Sequence, residues 1–289
     1  MNPRQVRRAL IDHPARAFGF AVLVGLVVAR PCEALANYVV GSWDLSRGGF
    51  DSIADSPLQA TQRALITAYR SDATFSSTSI LTPSYLSTVN GFILGGQFSS
   101  STTVLPLSAA EQTALFNFVA GGGNLLIATY SGSFDGAAGD ASRVSIYAPF
   151  GIQSEGDSFG PNALATDLAH PIVNGPFGTL TTFPLSGMAG LYTNLGPYAH
   201  TVYVDSQFHQ PLLATIEGGV IGPGSGRVVV TGAANAFASS LLSGNVTAYL
   251  IPVPEPSAAV YASTLLAMLV GGRIASRKAA SRKAYAAPR

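Results

Sequence analysis

Two long apolar blocks lie near the ends of the chain, and between them short apolar runs alternate with polar stretches punctuated by glycine and proline. "YVVG" from Tyr38 to Gly41 predicts a strand, followed by a loop through Trp43 and Asp44. Ser56-Pro57 opens a helix, with Gln59 as capping-box partner and Leu58, Leu65, Ile66 and Tyr69 as its apolar stripe. A short apolar piece near Ile80 and a brief Pro83-led helix come next. "GFILGG", from Gly91 to Gly96, is apolar throughout, which predicts a strand of a parallel sheet covered on both faces.

The clearest unit is "LSAAEQTALFNFVAGGGNLLIATYSGSF". Ser108 stands at an N-cap with Glu111 three residues on. Leu115, Phe116 and Val119 form the buried face, Gly121 to Gly123 break the helix, and Leu125 to Thr129 form the next strand. Strand, helix and strand at this spacing predict a right-handed βαβ crossover. A second helix is predicted over Ser142 to Pro149. Strands follow near Thr201–Val204, Leu212–Ile216 and Arg227–Thr231, then a helix around Ala236–Leu242. The alternation predicts a three-layer α/β domain with a mostly parallel, flavodoxin-like sheet over residues 37–250. No repeat of fixed period is present.

Charge divides the chain into unlike parts. Only 11% of residues are charged, against about 25% in an ordinary soluble protein. Residues 37–250 hold no lysine, five arginines and twelve acids, a net of −7. A nucleic-acid partner is therefore not expected, because phosphate binding needs a basic face that this region cannot assemble. Residues 1–36 read as a signal peptide: an Arg-rich start, the apolar "AFGFAVLVGLVVA", and Ala34-Leu35-Ala36 as a small-x-small cleavage site. A short transmembrane anchor is the alternative. The one cysteine, Cys32, precedes that site, so a mature chain from Asn37 has neither a disulfide nor a thiol nucleophile.

At the other end, residues 251–256 carry Val253-Pro254-Glu255-Pro256, whose prolines predict an extended, accessible stretch. Residues 257–272 are uncharged and as a helix would reach about 24 Å, a marginal membrane span. Arg273, Arg277 and Lys278 begin the basic stretch 273–289, which is expected to stay cytoplasmic. In order and kind these parts resemble the PEP-CTERM sorting signal. The resemblance implies a Gram-negative host that makes exopolysaccharide, and processing by an exosortase-type membrane enzyme. It also implies export with transient inner-membrane anchoring before the protein reaches the cell surface or the extracellular matrix.

A second resemblance covers most of residues 37–250. "GFILGG", "LSAAEQTALFNFVAGGGNLLIAT", "RVSIYAPFGI", "HPIVNGPFG" and "GRVVVTGAANAF" are similar, in that order, to the class I glutamine amidotransferase-like superfamily, especially its non-amidotransferase branches. Where amidotransferases place a cysteine after the central strand, this chain has "TYSGSF", with Tyr130 or Ser131 at the turn.

Candidate chemistry is sparse. Ser131 is a possible nucleophile with His170 of "HPIVNG" as its base; the competing readings are a serine in a polar loop and a histidine that orders a turn. His200, Asp205 and His209 straddle a predicted strand, and no metal site is expected from them. Asp135 and Asp140 offer calcium-type ligands without the EF-hand spacing. "GPGSG" at 222–226 lacks a following helix, so it reads as a turn before a strand, and no cofactor is expected. Two function classes follow. One is a non-catalytic surface protein that binds extracellular polysaccharide in a crevice around Asp44, Gly96 and Tyr130, beyond the carboxyl ends of the strands. The other is a secreted hydrolase using Ser131.

Overall fold

The computed structural model describes residues 37–48, 51–95, 106–129, 136–158, 160–185, 189–232 and 240–252. The expected signal peptide, the Pro-Glu-Pro motif, the apolar segment 257–272 and the basic tail lie outside these residues, as do Gly96, Tyr130 and Ser131.

The elements run β1 (Tyr38–Trp43), α1 (Ala60–Tyr69), β2 (Ala73–Thr78), β3 (Gly91–Leu94), α2 (Ala109–Ala120), β4 (Asn124–Ala128) and α3 (Gly136–Tyr147). They continue with β5 (Gln153–Ser158), β6 (Asn162–Ala165), the two-residue β7 (Asn174–Gly175) and β8 (Gly178–Thr179), and β9 (Thr182–Pro184). The last part is β10 (Ala189–Asn194), β11 (His200–Asp205), β12 (Pro211–Ile216), β13 (Val228–Thr231) and α4 (Ser240–Leu250). Nine strands make one sheet in the order β2-β1-β3-β4-β13-β12-β11-β6-β9. From β2 to β13 neighbouring strands are parallel, and from β13 to β9 they are antiparallel.

This corrects the expected three-layer, mostly parallel α/β fold: the sheet is mixed, with an antiparallel half, and strands dominate the C-terminal part. The physical reason lies in the connections. A parallel crossover needs a dozen or more residues, and only five separate β11 from β12. Among the described residues no helix is long and apolar enough to cross a membrane.

Period-2 alternation in the central strands divides the core between the two faces of the sheet. Leu126, Ala128 and Val229 turn to one side, where they join Ile66 of α1 and Leu242 and Val246 of α4. Leu125, Ile127, Val228 and Val230 turn to the other, where they meet Leu115 and Val119 of α2 and Ile146 and Tyr147 of α3. Ser108 and Glu111 form a capping box at the start of α2, as their spacing predicts. Leu58, expected in the stripe of α1, is instead 68% exposed on a 3₁₀ turn whose cap is Ser56, and Gln59 reaches toward Asp51. The glycine run after α2 has a packing cause as well as a helix-ending one: a Cβ on Gly123 would stand 2.2 Å from the Phe118 ring, and across the way a Cβ on Gly226 would stand 2.0 Å from the Gly123 carbonyl oxygen.

The domain begins and ends at one edge of this sheet. Tyr38 opens β1 at the amino-terminal edge of the parallel strands, and its hydroxyl donates to the Leu250 carbonyl at 3.4 Å. The Arg70 guanidinium stacks on the Tyr38 ring at 4.5 Å, pairs with Asp72 at 2.9 Å and donates to the Pro252 carbonyl at 2.5 Å.

Candidate functional site

His170 sits on a turn that it organises itself. Its carbonyl accepts from the N–H groups of Val173 and Asn174. Gly175 follows where no side chain fits, since a Cβ there would meet Asn245 Oδ1 and the Pro171 carbonyl oxygen, each at 2.4 Å. Buried Asn245 of α4 fixes the same loop: its Oδ1 accepts from Phe177 N–H, and its Nδ2 donates to the carbonyls of Ile172 and Gly178. That role uses the amide of the Asn245-Val246-Thr247 sequon internally.

The His170 ring faces three polar groups from the antiparallel strands. Nε2 lies 3.1 Å from Glu217 Oε1, just past the end of β12, and 3.3 Å from Thr215 Oγ1 within that strand. Thr215 Oγ1 also lies 3.1 Å from Nε2 of His200, the first residue of β11, and 3.4 Å from Glu217 Oε1. The Ile172 N–H donates to His170 Nδ1 at 3.1 Å, so in the neutral ring the proton sits on Nε2 and points at Glu217. The Tyr249 ring packs at a tilt against His170 at 5.2 Å, and the Arg227 guanidinium lies over that tyrosine at 4.8 Å.

Exposure is graded across the cluster. The His170 side chain is 4% exposed, whereas those of His200 and Glu217 are 43% and 40% exposed. Burial works to raise the Glu217 pKa, but the Tyr249 hydroxyl and His170 outweigh it and hold the carboxyl below its ordinary range. Burial lowers the His170 pKa against the opposing pull of Glu217, so the ring is neutral near pH 7. Burial, together with the facing carboxylate, pushes the Tyr249 phenol up.

The predicted site residues are thus only partly brought together. His170 and His200 meet, but His200 and Asp205 occupy opposite ends of β11, about 17 Å apart at roughly 3.3 Å per residue. Asp205 instead accepts from the N–H groups of Gln207 and Phe208 in the tight turn that carries His209. Asp44 caps the turn Leu45–Gly48, accepting from Ser46 Oγ at 2.6 Å and from Arg47 N–H at 3.1 Å. Asp140 falls within α3, while Asp135 lies outside the described residues, as do the other crevice candidates, Gly96 and Tyr130.

His170 belongs to the amino-terminal edge. Thr215 is level with Val229 and Leu126, three positions before Thr129 at the carboxyl end of β4. Two strand spacings and three residues put Thr215 and Thr129 on the order of 14 Å apart. Both ring nitrogens of His170 are engaged on that amino-terminal side. At the carboxyl edge, besides Asp44 after β1, lies a buried hydroxyl chain: Thr129 Oγ1 to Tyr147 OH at 2.5 Å, then Tyr147 OH to Tyr192 OH at 3.1 Å. Sequence reasoning missed Thr215, Glu217 and Tyr249, because each is single in its segment and no fixed spacing links it to a histidine.

No protein-family model matches the chain, and no curated protein matches it either. In three dimensions it is similar to the solved structure titled mmIFT52 N-terminal domain, with a TM-score of 0.52 at 15% identity over 75% of this chain and 99% of that one. At that identity the likeness concerns the fold alone. An exo-beta-1,4-mannosidase, Op5Man5 from Opitutaceae bacterium strain TAV5, aligns with a TM-score of 0.43 at 14% identity over 77% of this chain and 37% of that one, too low to carry an argument.

Proposed function

We propose that the chain is an exported, non-catalytic surface protein. In this reading the C-terminal segment holds it transiently in the inner membrane, and an exosortase-type enzyme processes it at Val253-Pro254-Glu255-Pro256. The observation that carries the reading is the meeting of the domain's two ends, where Tyr38 and Arg70 hold Leu250 and Pro252. The described residues next to the expected signal peptide and to the expected membrane segment therefore lie together at one edge. In this reading the ligand meets the carboxyl edge of the parallel strands, about 17 Å away along β1.

Charge narrows the ligand. Arg47 pairs with Glu111, Arg70 pairs with Asp72, Arg63 donates to the carbonyls of Ile53 and Ser56, and Arg227 donates to that of Tyr249. With these four of its five arginines engaged by the domain's own carboxylates and carbonyls, and a net charge of −7 over residues 37–250, the domain suits a neutral polysaccharide better than a polyanionic one.

Mass spectrometry of the exported form tests the processing. A C-terminus within or just after residues 253–256 is expected, and an exported protein that keeps Arg289 would overturn the proposal. Glycan-array binding tests the ligand class, with neutral glycans expected to bind and exclusive binding of polyanionic ones contradicting it.

A further inference from the structure

We propose that His170, His200 and Glu217 form a binding site for a divalent first-row metal ion of the zinc type, at the amino-terminal edge of the sheet. One ring nitrogen from each histidine and a carboxylate oxygen all lie within 4.8 Å of one another. Glu217 Oε1 is 3.1 Å from His170 Nε2 and 3.7 Å from His200 Nε2. Donors held about 2.0–2.2 Å from a tetrahedral ion stand roughly 3.3–3.5 Å apart, so small side-chain shifts bring all three into range. Two imidazoles with one carboxylate favour zinc and its neighbours over calcium or magnesium, which seek sets of oxygens.

The surroundings suit such a site. Thr215 Oγ1, between 3.1 and 3.4 Å from each of the three donor atoms, closes the inner side. His200 and Glu217 are open to solvent on the outer side, which leaves an approach for the ion and a position for water. His170 is held from behind by the Tyr249 ring and by the turn built on its own backbone. The same turn sets a cost. The Ile172 N–H donates to His170 Nδ1, so the ring proton on Nε2 must leave that position before the ion binds, and the Ile172 donor then loses its acceptor. Losing that bond weakens binding by about tenfold or more relative to a histidine whose second nitrogen donates.

The test is calorimetric titration of the purified, chelator-treated full chain with Zn²⁺, repeated on His200→Ala and Glu217→Gln. Both are half-exposed positions whose replacement leaves the core intact, and circular dichroism checks the fold. One Zn²⁺ per chain is expected, weakened at least tenfold by either change, with Co²⁺ giving the intense visible bands of a tetrahedral site only in the wild type. Stoichiometry and affinity unchanged in both variants, no binding by the wild type, or a preference for Ca²⁺ over Zn²⁺ would overturn the proposal.

Discussion

Replacing Glu111 by Gln removes a charge that both ends of one packing interface depend on. Its Oε1 accepts from Leu81 N–H at 3.2 Å and from the Arg47 guanidinium; its Oε2 accepts from Ser108 N–H and Ser108 Oγ, each at 3.0 Å, and from Arg47 Nη2 at 3.3 Å. Burial alone would raise the carboxyl pKa, but Arg47 and the N–H groups of Ser108 and Leu81 outweigh it and hold it at about 2 instead of 4.5. That depression corresponds to roughly 3 kcal/mol of stability, little screened because the side chain is only 9% exposed. A depressed carboxyl stabilises the fold above its unfolded pKa, so this contribution is complete above about pH 5 and is lost as pH falls toward 2. In Glu111→Gln the amide NH₂ faces donors wherever it turns. The variant is expected to be about 3 kcal/mol less stable at pH 7, with the gap to the wild type closing progressively below pH 5. Trp43, the single tryptophan, is buried and lies 3.9 Å from the Arg47 guanidinium, so its fluorescence during urea unfolding reports on this interface. A variant within about 0.5 kcal/mol of the wild type at pH 7, or a gap that stays constant down to pH 3, would refute the reasoning.

Asn245→Ala strips three hydrogen bonds from the loop 172–178 and should cost about 2–4 kcal/mol, read as a lower urea midpoint with an unchanged slope. Tyr147→Phe interrupts the hydroxyl chain between Thr129 and Tyr192 and is expected to cost about 1–3 kcal/mol in thermal unfolding. Gly226→Ala drives a methyl into the Gly123 carbonyl, and a loss above about 3 kcal/mol, seen as poor soluble yield, is expected. Arg70→Met should leave the sheet in place but speed amide exchange at Leu250 and Ile251, since it frees the Pro252 carbonyl and unstacks Tyr38; unchanged exchange there would contradict that role.

The half of the fold that rests on periodicity was legible. "GFIL" and "NLLIA" are strands because continuous apolar runs bury both faces, and Ser108 with Glu111 marks a helix start by local hydrogen bonding alone. The other half was hidden for particular reasons. "QSEGDS" forms β5 with no large apolar residue to mark it, and "NALA" forms β6 in only four residues, too short for a period to show, so what marks both as strands is their pairing with β10 and β11. Asp205 invited a metal reading by its closeness to His200 in sequence, yet strand geometry separates residues that the chain keeps near. Glu217 lies 47 positions from His170 and meets it only because β12 runs back against β13 and ends beside the His170 turn.

The joined ends of the domain have a further consequence. A domain whose first described strand touches its last described helix is nearly a closed ring, so a short linker from Pro252 to Asn37 could seal it. It could then be reopened in the loop around Gly222 and Gly224, where a Cβ would meet nothing within 4 Å. Such a circular permutant would keep every strand pairing while moving its attachment point to the tip of the β12–β13 hairpin.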